Sequence, residues 1–276
     1  ITVGLFRGDQ VSAHWRLTTN PDRTPDEWGT ALGTFLLHAG HSPNEVRAVI
    51  LASVAPGVTQ SVKAGIESAT ACTVVTVDPR SPLPLTLDVD EPLSVGADRI
   101  VNALAVLELC RADAVVVDFG TATTFDCVTG DGRFIGGAIM PGLRTSADQL
   151  TRLAAKLPAT ELAAPERVIG RRTEECIRAG VLFGAADAAD GMLRRIFDEW
   201  PTVTKPVVLA TGGLAGIIAP YSTLIRRIEP DLTLRGLARL VDFTLAFVVA
   251  QTAPQVGPVL AALYLLAADG LMSGQS

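Results

Sequence analysis

Short runs of Val, Ile, Leu and Ala alternate with stretches of helical periodicity along most of the chain, and the alternation comes twice. An apolar run of about four to eight residues bounded by turn residues reads as a buried strand, and an apolar stripe at helical spacing reads as a helix laid on a sheet. In the first half, residues 1–6 and 11–18 flank Arg7-Gly8-Asp9 as a β-hairpin. Thr24-Pro25-Asp26-Glu27 joins a capping box to a proline at the first helical position, and Trp28, Leu32, Phe35 and Leu36 follow on one face. A strand over 46–54, a helix over 59–68, a strand over 72–77 and a Pro-rich connection over 79–92 lead to a helix over 97–110. In the second half, strands at 114–117, 123–128 and 133–138 precede a helix carrying Leu150, Leu153 and Leu157, a long helix over 173–200 and a strand at 207–210.

The two orders differ at one place. The second half opens on a strand whose turn is Asp118-Phe119-Gly120-Thr121, and the first half has no counterpart. If the halves are duplicates, the first lacks its leading strand, and about ten further N-terminal residues, one strand with its loop, are expected before Ile1. From Phe243 to Ala268 the chain carries no charge. A membrane span needs about 20 mostly apolar residues, and Gln251, Thr252, Pro254, Gln255, Gly257 and Pro258 interrupt this stretch, so a pair of packed helices is expected rather than a span.

Composition narrows the function. A chain of 276 residues holds one large domain or two modest ones, and its 48% hydrophobic content excludes a disordered chain. The net charge of −6 argues against a nucleic-acid binder, which needs a basic face. Cys72, Cys110, Cys127 and Cys176 are scattered, with no CxxC and no Cys/His cluster, which suits reduced thiols in the cytoplasm and no zinc site. Lys63, Lys156 and Lys205 are the only lysines, none follows a glycine, and a Walker A loop is therefore absent.

Three places could carry chemistry. In Val117-Asp118-Phe119-Gly120-Thr121-Ala122-Thr123-Thr124 a buried strand ends in an acid, and Gly120 and the threonines form a turn. Such a turn aims N–H and hydroxyl groups at one spot, which suits phosphate oxygens, while the acid suits a cation bridging to them. The competing reading is an ordinary Thr-rich hairpin. At Gly96-Ala97-Asp98-Arg99, Asp98 could act as general base toward a hydroxyl and Arg99 hold an anion. Equally, Asp98 could cap a helix beside a surface arginine. Gly136-Gly137-Ala138-Ile139-Met140-Pro141-Gly142 and Thr211-Gly212-Gly213 let a ligand approach the backbone, or are plain turns.

These motifs, with His14-Trp15-Arg16, Ile100-Val101-Asn102 and Ala154-Ala155-Lys156-Leu157-Pro158, resemble the type III pantothenate kinase family in their order, from Ile1 to about Val241. The resemblance implies an α/β fold of two ribonuclease-H-like domains, as in the actin, sugar-kinase and heat-shock-ATPase superfamily. The expected division is 1–110, lacking its first strand, then 111–250, then an apolar tail over 251–276. It implies ATP-dependent phosphorylation of pantothenate to 4'-phosphopantothenate, the first step of coenzyme A biosynthesis, by a cytoplasmic homodimer with the pantothenate site at its interface. Magnesium and a monovalent cation, potassium or ammonium, are the implied cofactors beside ATP. By position, Asp98 would accept the hydroxyl proton, and Gly96, Ala97, Asp98, Arg99 and Thr173 would contact pantothenate. Gly120 and Thr121 would meet the ATP phosphates, and Asp118 would hold potassium.

The chain departs from the family pattern in three respects. The Asp-x-Gly-Asn-Thr phosphate loop that opens family members would lie before Ile1, Val89 stands where an aromatic residue often lines the pantothenate pocket, and Gly-x-Asn-Thr reads Gly170-Arg171-Arg172-Thr173. A non-catalytic relative acting as a binding or transcriptional accessory protein, and a kinase for another small hydroxyl compound, are the competing expectations.

Overall fold

The computed structural model describes residues 1–8, 10–154 and 156–240, and the backbone of 260–265. The chain divides into two compact units, Ile1–Ala105 with Leu232–Ser276, and Val106–Asp231. The expected boundary at residue 110 thus moves into helix α3 (Ala97–Cys110), and the chain returns to the first unit well before residue 250. The return has a packing cause. Helix α7, described over 232–240, sets Gly236 against the Val101 backbone of α3, so closely that a Cβ there would collide with the Val101 carbonyl oxygen.

The first unit is built on β1 (Thr2–Arg7), β2 (Gln10–Arg16), β3 (Ala48–Ser53) and β4 (Val74–Thr76). Helices α1 (Pro25–His38) and α2 (Pro56–Thr70) cover the sheet. The capping box forms as expected: Thr24 Oγ1 accepts from Glu27 N, and Glu27 Oε2 accepts from Thr24 N at 2.7 Å. Alternate residues of the strands, Val3 and Leu5 with Val49 and Leu51, point into a core closed by Trp28, Leu32, Leu36, Val62 and Ile66. A two-residue strand, β5 (Thr86–Leu87), lies in the connection before α3.

A strand from the far end of the chain completes this sheet. The order is β2-β1-β11-β3-β4, with β11 being Leu260–Leu265. It runs antiparallel to β1 (Val3 opposite Leu263) and parallel to β3 (Leu263 opposite Leu51). The packed helix expected over this part of the uncharged stretch is therefore corrected to a strand. Pairing on both edges satisfies the backbone N–H and C=O groups of these residues through non-local partners. Residues 241–259 and 266–276 lie outside the described part.

The second unit repeats the arrangement. Its strands are β6 (Ala114–Phe119), β7 (Ala122–Thr129), β8 (Arg133–Pro141), β9 (Val207–Thr211) and β10 (Arg227–Ile228). They lie in the order β8-β7-β6-β9-β10. β6 is antiparallel to β7 and parallel to β9, as β11 is to β1 and β3. β11 thus holds in one sheet the place that β6 holds in the other, the place at which the sequence comparison expected a leading strand. Helices α4 (Leu143–Leu153), α5 (Thr173–Asp198) and the short α6 (Ala215–Ile218) complete the unit. All six residues of β6 are buried, and Val115, Val117 and Phe119 meet Leu182, Ala186, Ala189 and Leu193 of α5. Among the described residues no helix is long and apolar enough to cross a membrane.

Helices α1 and α2 cross where both lack a side chain: a Cβ on Gly65 would collide with the Pro25 carbonyl oxygen and stand 2.9 Å from Trp28 Cβ. Gly65→Ala should cost about 1–3 kcal/mol, since rigid backbone must move. Gly57→Ala, whose Cβ would meet nothing within 4 Å, should be neutral or stabilising by up to about 1 kcal/mol. Urea unfolding of the two variants checks the difference, and equal midpoints would contradict it.

Candidate active site

The first cluster stands at the start of α3. A Pro92–Ser94 turn and the buried Val95 deliver the chain to Gly96, whose carbonyl accepts the Ile100 N–H at 3.2 Å. Asp98 lies within the first turn of α3, one residue past Ala97, so it is not the residue that caps the helix. Its Oδ1 accepts the Arg99 N–H at 2.9 Å. The carboxylate folds back over Gly96, where an added Cβ would sit 2.5 Å from Oδ1. A side chain at 96 would therefore displace the carboxylate from this position. Burial pushes the Asp98 pKa above its ordinary value, against the smaller lowering effects of the Arg99 N–H and guanidinium. A carboxylate held this way is a stronger base than one in water. Gly96 precedes α3, and Ala97, Asp98 and Arg99 are its first three residues.

The second cluster belongs to the second unit, at the turn between β6 and β7. Asp118 ends the buried strand and is itself buried, opposite Thr211 of the parallel β9. Gly120 closes the turn by donating its N–H to the Ala122 carbonyl at 3.0 Å, so that N–H is already engaged. The exposed Thr121 is held by its carbonyl, which accepts from Gly142 N at 2.9 Å and from Thr145 Oγ1 at 2.7 Å. Gly142 precedes α4, and a Cβ on it would collide with the carbonyl oxygens of Gly120 and Thr121. The glycine of Met140-Pro141-Gly142 therefore serves to press a helix N-terminus against the turn. Asp118, Gly120 and Thr121 lie together at one turn.

Two further residues complete this site. Gly212, with φ +92°, packs so tightly that a Cβ would collide with Asp118 Oδ1. Thr211 is 1% exposed, and its hydroxyl has no hydrogen-bond partner among the described residues. A buried hydroxyl without a partner costs free energy unless something else meets it. The pairing of Thr211-Gly212 with Asp118 needs the β6–β9 register, and spacing along the chain does not give it. Hydroxyl and carboxylate oxygens suit a hard cation, so the residues present fit the monovalent cation that the family pattern implies. No group of three His, Cys, Asp or Glu side chains gathers to hold a metal among the described residues.

Thr173 stands apart from these oxygens. It begins α5 and lines a cavity of about 600 Å³ with Met140, Leu143, Leu150, Ile177 and Gly180. The irregular Arg171-Arg172 before it is tied down by Glu175, which accepts Arg171 N at 2.9 Å and pairs with Arg172 at 3.3 Å. The cavity is apolar, with Ser146, Thr173 and Cys176 its polar margin.

The model of the type III pantothenate kinase family matches residues 1–195. Type III pantothenate kinases of Moorella thermoacetica and Thermomicrobium roseum are 40% and 41% identical over 237 residues, covering 86% of this chain and 92% and 91% of theirs. That of Brevibacillus brevis is 38% identical over 242 residues, 88% of this chain and 94% of its own. Among solved structures, a Baf-family protein of Campylobacter jejuni superposes with TM-score 0.51 at 18% identity, over 73% of this chain and 85% of that one, a likeness of fold. The strand order repeated in the two sheets agrees with the expected α/β fold of two ribonuclease-H-like domains. With the family model covering most of the described residues and relatives near 40% identity along nearly their full length, the chain belongs to the type III pantothenate kinase family.

Proposed function

We propose that this chain transfers the γ-phosphoryl group of ATP to the primary hydroxyl of pantothenate, giving 4'-phosphopantothenate and ADP. The observation that carries the reading is Asp98, a carboxylate folded over Gly96 at the start of α3 whose basicity is raised by burial. Asp98 takes the hydroxyl proton as the oxygen bonds to the γ-phosphorus and the bond from that phosphorus to the bridging oxygen breaks. The proton then passes to water. Arg99 and the backbone at Gly96 and Ala97 hold pantothenate, with Thr173 as a further contact. Phosphoryl transfer relies on positioning and charge neutralisation, and the Thr121 turn with the Thr211 hydroxyl is built for phosphate oxygens and the cation beside them. Asp118 would hold potassium or ammonium, which neutralises phosphate charge, and magnesium would ride mainly on the ATP phosphates.

The enzyme is read as a cytoplasmic homodimer with pantothenate bound at the subunit interface. None of its four cysteines forms a disulfide, as a reducing compartment favours. α5 presents Gly180, Gly184 and Gly191 with nothing within 4 Å of where a Cβ would stand, and Ile139 and Leu153 are 64% and 79% exposed. Such a face suits a second helix at close range.

Three variants test the reading. Asp98→Asn should lower kcat about 10²–10⁴-fold. It should also raise the melting temperature at neutral pH. A pKa raised by folding means the charged form is disfavoured in the native state, so ionised Asp98 costs stability above its native pKa and nothing below the unfolded one. For the same reason turnover should rise with pH through a value above the usual carboxylate range. Coupled ADP-release assays and calorimetry measure both, and unchanged turnover would remove Asp98 from its role. Asp118→Asn should abolish the advantage of potassium over sodium buffer while the fold survives; an advantage kept in full would contradict the cation site. Gly184→Arg should convert a dimer to monomers by sedimentation, at unchanged far-UV dichroism, and a dimer of undiminished affinity would exclude the α5 face.

A further inference from the structure

The buried polar pair between α3 and α7 has no part in the site described above. Residues Ile100 to Leu104 of α3 are five consecutive buried positions, so this helix is enclosed on all sides rather than laid on a surface. A helix enclosed by apolar neighbours has little to fix its position along its own axis, because apolar contacts are non-directional. On the α7 side two features do so. Gly236 brings the α7 backbone against Val101. Thr233 Oγ1 donates to Asn102 Oδ1 at 2.8 Å, with Asn102 1% and Thr233 8% exposed. Leu232, Leu234, Leu237 and Leu240 around them are buried and apolar. A buried hydrogen-bonded pair in an apolar helix contact is a known device for setting register, since a slipped register separates donor from acceptor. Asn102 lies four residues beyond Asp98, one turn along the same face of α3.

We propose that the Thr233–Asn102 pair sets the axial position and rotation of α3, and through it the placement of Asp98 against the substrate hydroxyl. Thr233 is then a positioning residue more than a hundred positions from the base in sequence, acting through Asn102 and one helical turn. The inference rests on the reading of Asp98 as general base. A misplacement of about 1 Å at a reacting group can cost on the order of 10²-fold in rate, and loss of one register pin among intact apolar contacts should cost less than that.

The test uses the full chain and the variants Thr233→Val, Thr233→Ala, Thr233→Ser and Asp98→Asn. Thr233→Val keeps the shape and removes the donor, and Thr233→Ala removes the donor without adding bulk where the valine variant fails to fold. Either should lower kcat about 5- to 20-fold, with KM for pantothenate and for ATP within about twofold and the acid limb of the kcat profile displaced. Thr233→Ser, which keeps the donor, should restore kcat and the profile. In the Asp98→Asn background the Thr233 substitution should cost nothing further, because the group it positions is gone. A kcat and pH profile unmoved in folded variants would overturn the proposal, as would an equal penalty in both backgrounds. Asp98→Asn alone decides the base separately: if that variant keeps its turnover, the underlying reading falls, and a Thr233 effect seen beside it would belong to some other group.

Discussion

The second unit is organised around a carboxylate at the buried end of a central strand. Asp118 sits where β6 leaves the sheet, with Gly212 packed on its oxygens and Thr211 opposite. A charge there is tolerated only if something of opposite sign or a set of donors meets it. The surroundings are shaped for that. Gly212 takes a positive φ so that the chain can pass, Gly142 brings the N-terminus of α4 against Gly120 and Thr121, and the Thr211 hydroxyl awaits a partner. The same strand is the hub of the fold, since β7 and β9 pair on its two edges and α5 covers one face. The stability of the unit and the proposed cation site therefore draw on one element.

The first unit places its chemistry differently. Its central strand, β11, comes from the other end of the chain, and the proposed base stands at the start of α3. Asp98 needs no ion partner to become basic. Withdrawal from water does this, and Gly96 makes room for the carboxylate to fold back. In the proposed reading the two acids have opposite tasks: Asp118 would stand beside a cation, and Asp98 would take up a proton. The identity shared with named kinases of this family speaks for catalysis rather than for a non-catalytic accessory role.

Much of this was legible in the sequence, for local reasons. The capping box at Thr24 and Glu27, the Val run ending at Asp118 and the span of α3 rest on neighbours within one turn or one strand. What stayed hidden rests on distant partners. Leu-Ala-Ala-Leu-Tyr-Leu at 260–265 shows no alternation and is rich in helix formers, so only pairing with β1 and β3 makes it a strand. The return of α7 to the first unit depends on Gly236 meeting Val101, and the Thr211 hydroxyl on the β6–β9 register. The helix expected to run through Leu157 stops at Leu153, ahead of Pro158. The proposed site was readable as motifs, but not how those motifs are held.

The measurement closest to the central claim is product identification. The purified full chain, incubated with pantothenate and ATP carrying an isotopic label in the γ-phosphoryl group, should give pantothenate singly phosphorylated on its primary hydroxyl, with the label retained and one ADP formed per product. Mass spectrometry and phosphorus resonance read both. A folded, ATP-binding chain that leaves pantothenate unlabelled, or that phosphorylates a different hydroxyl compound in preference, would contradict the account.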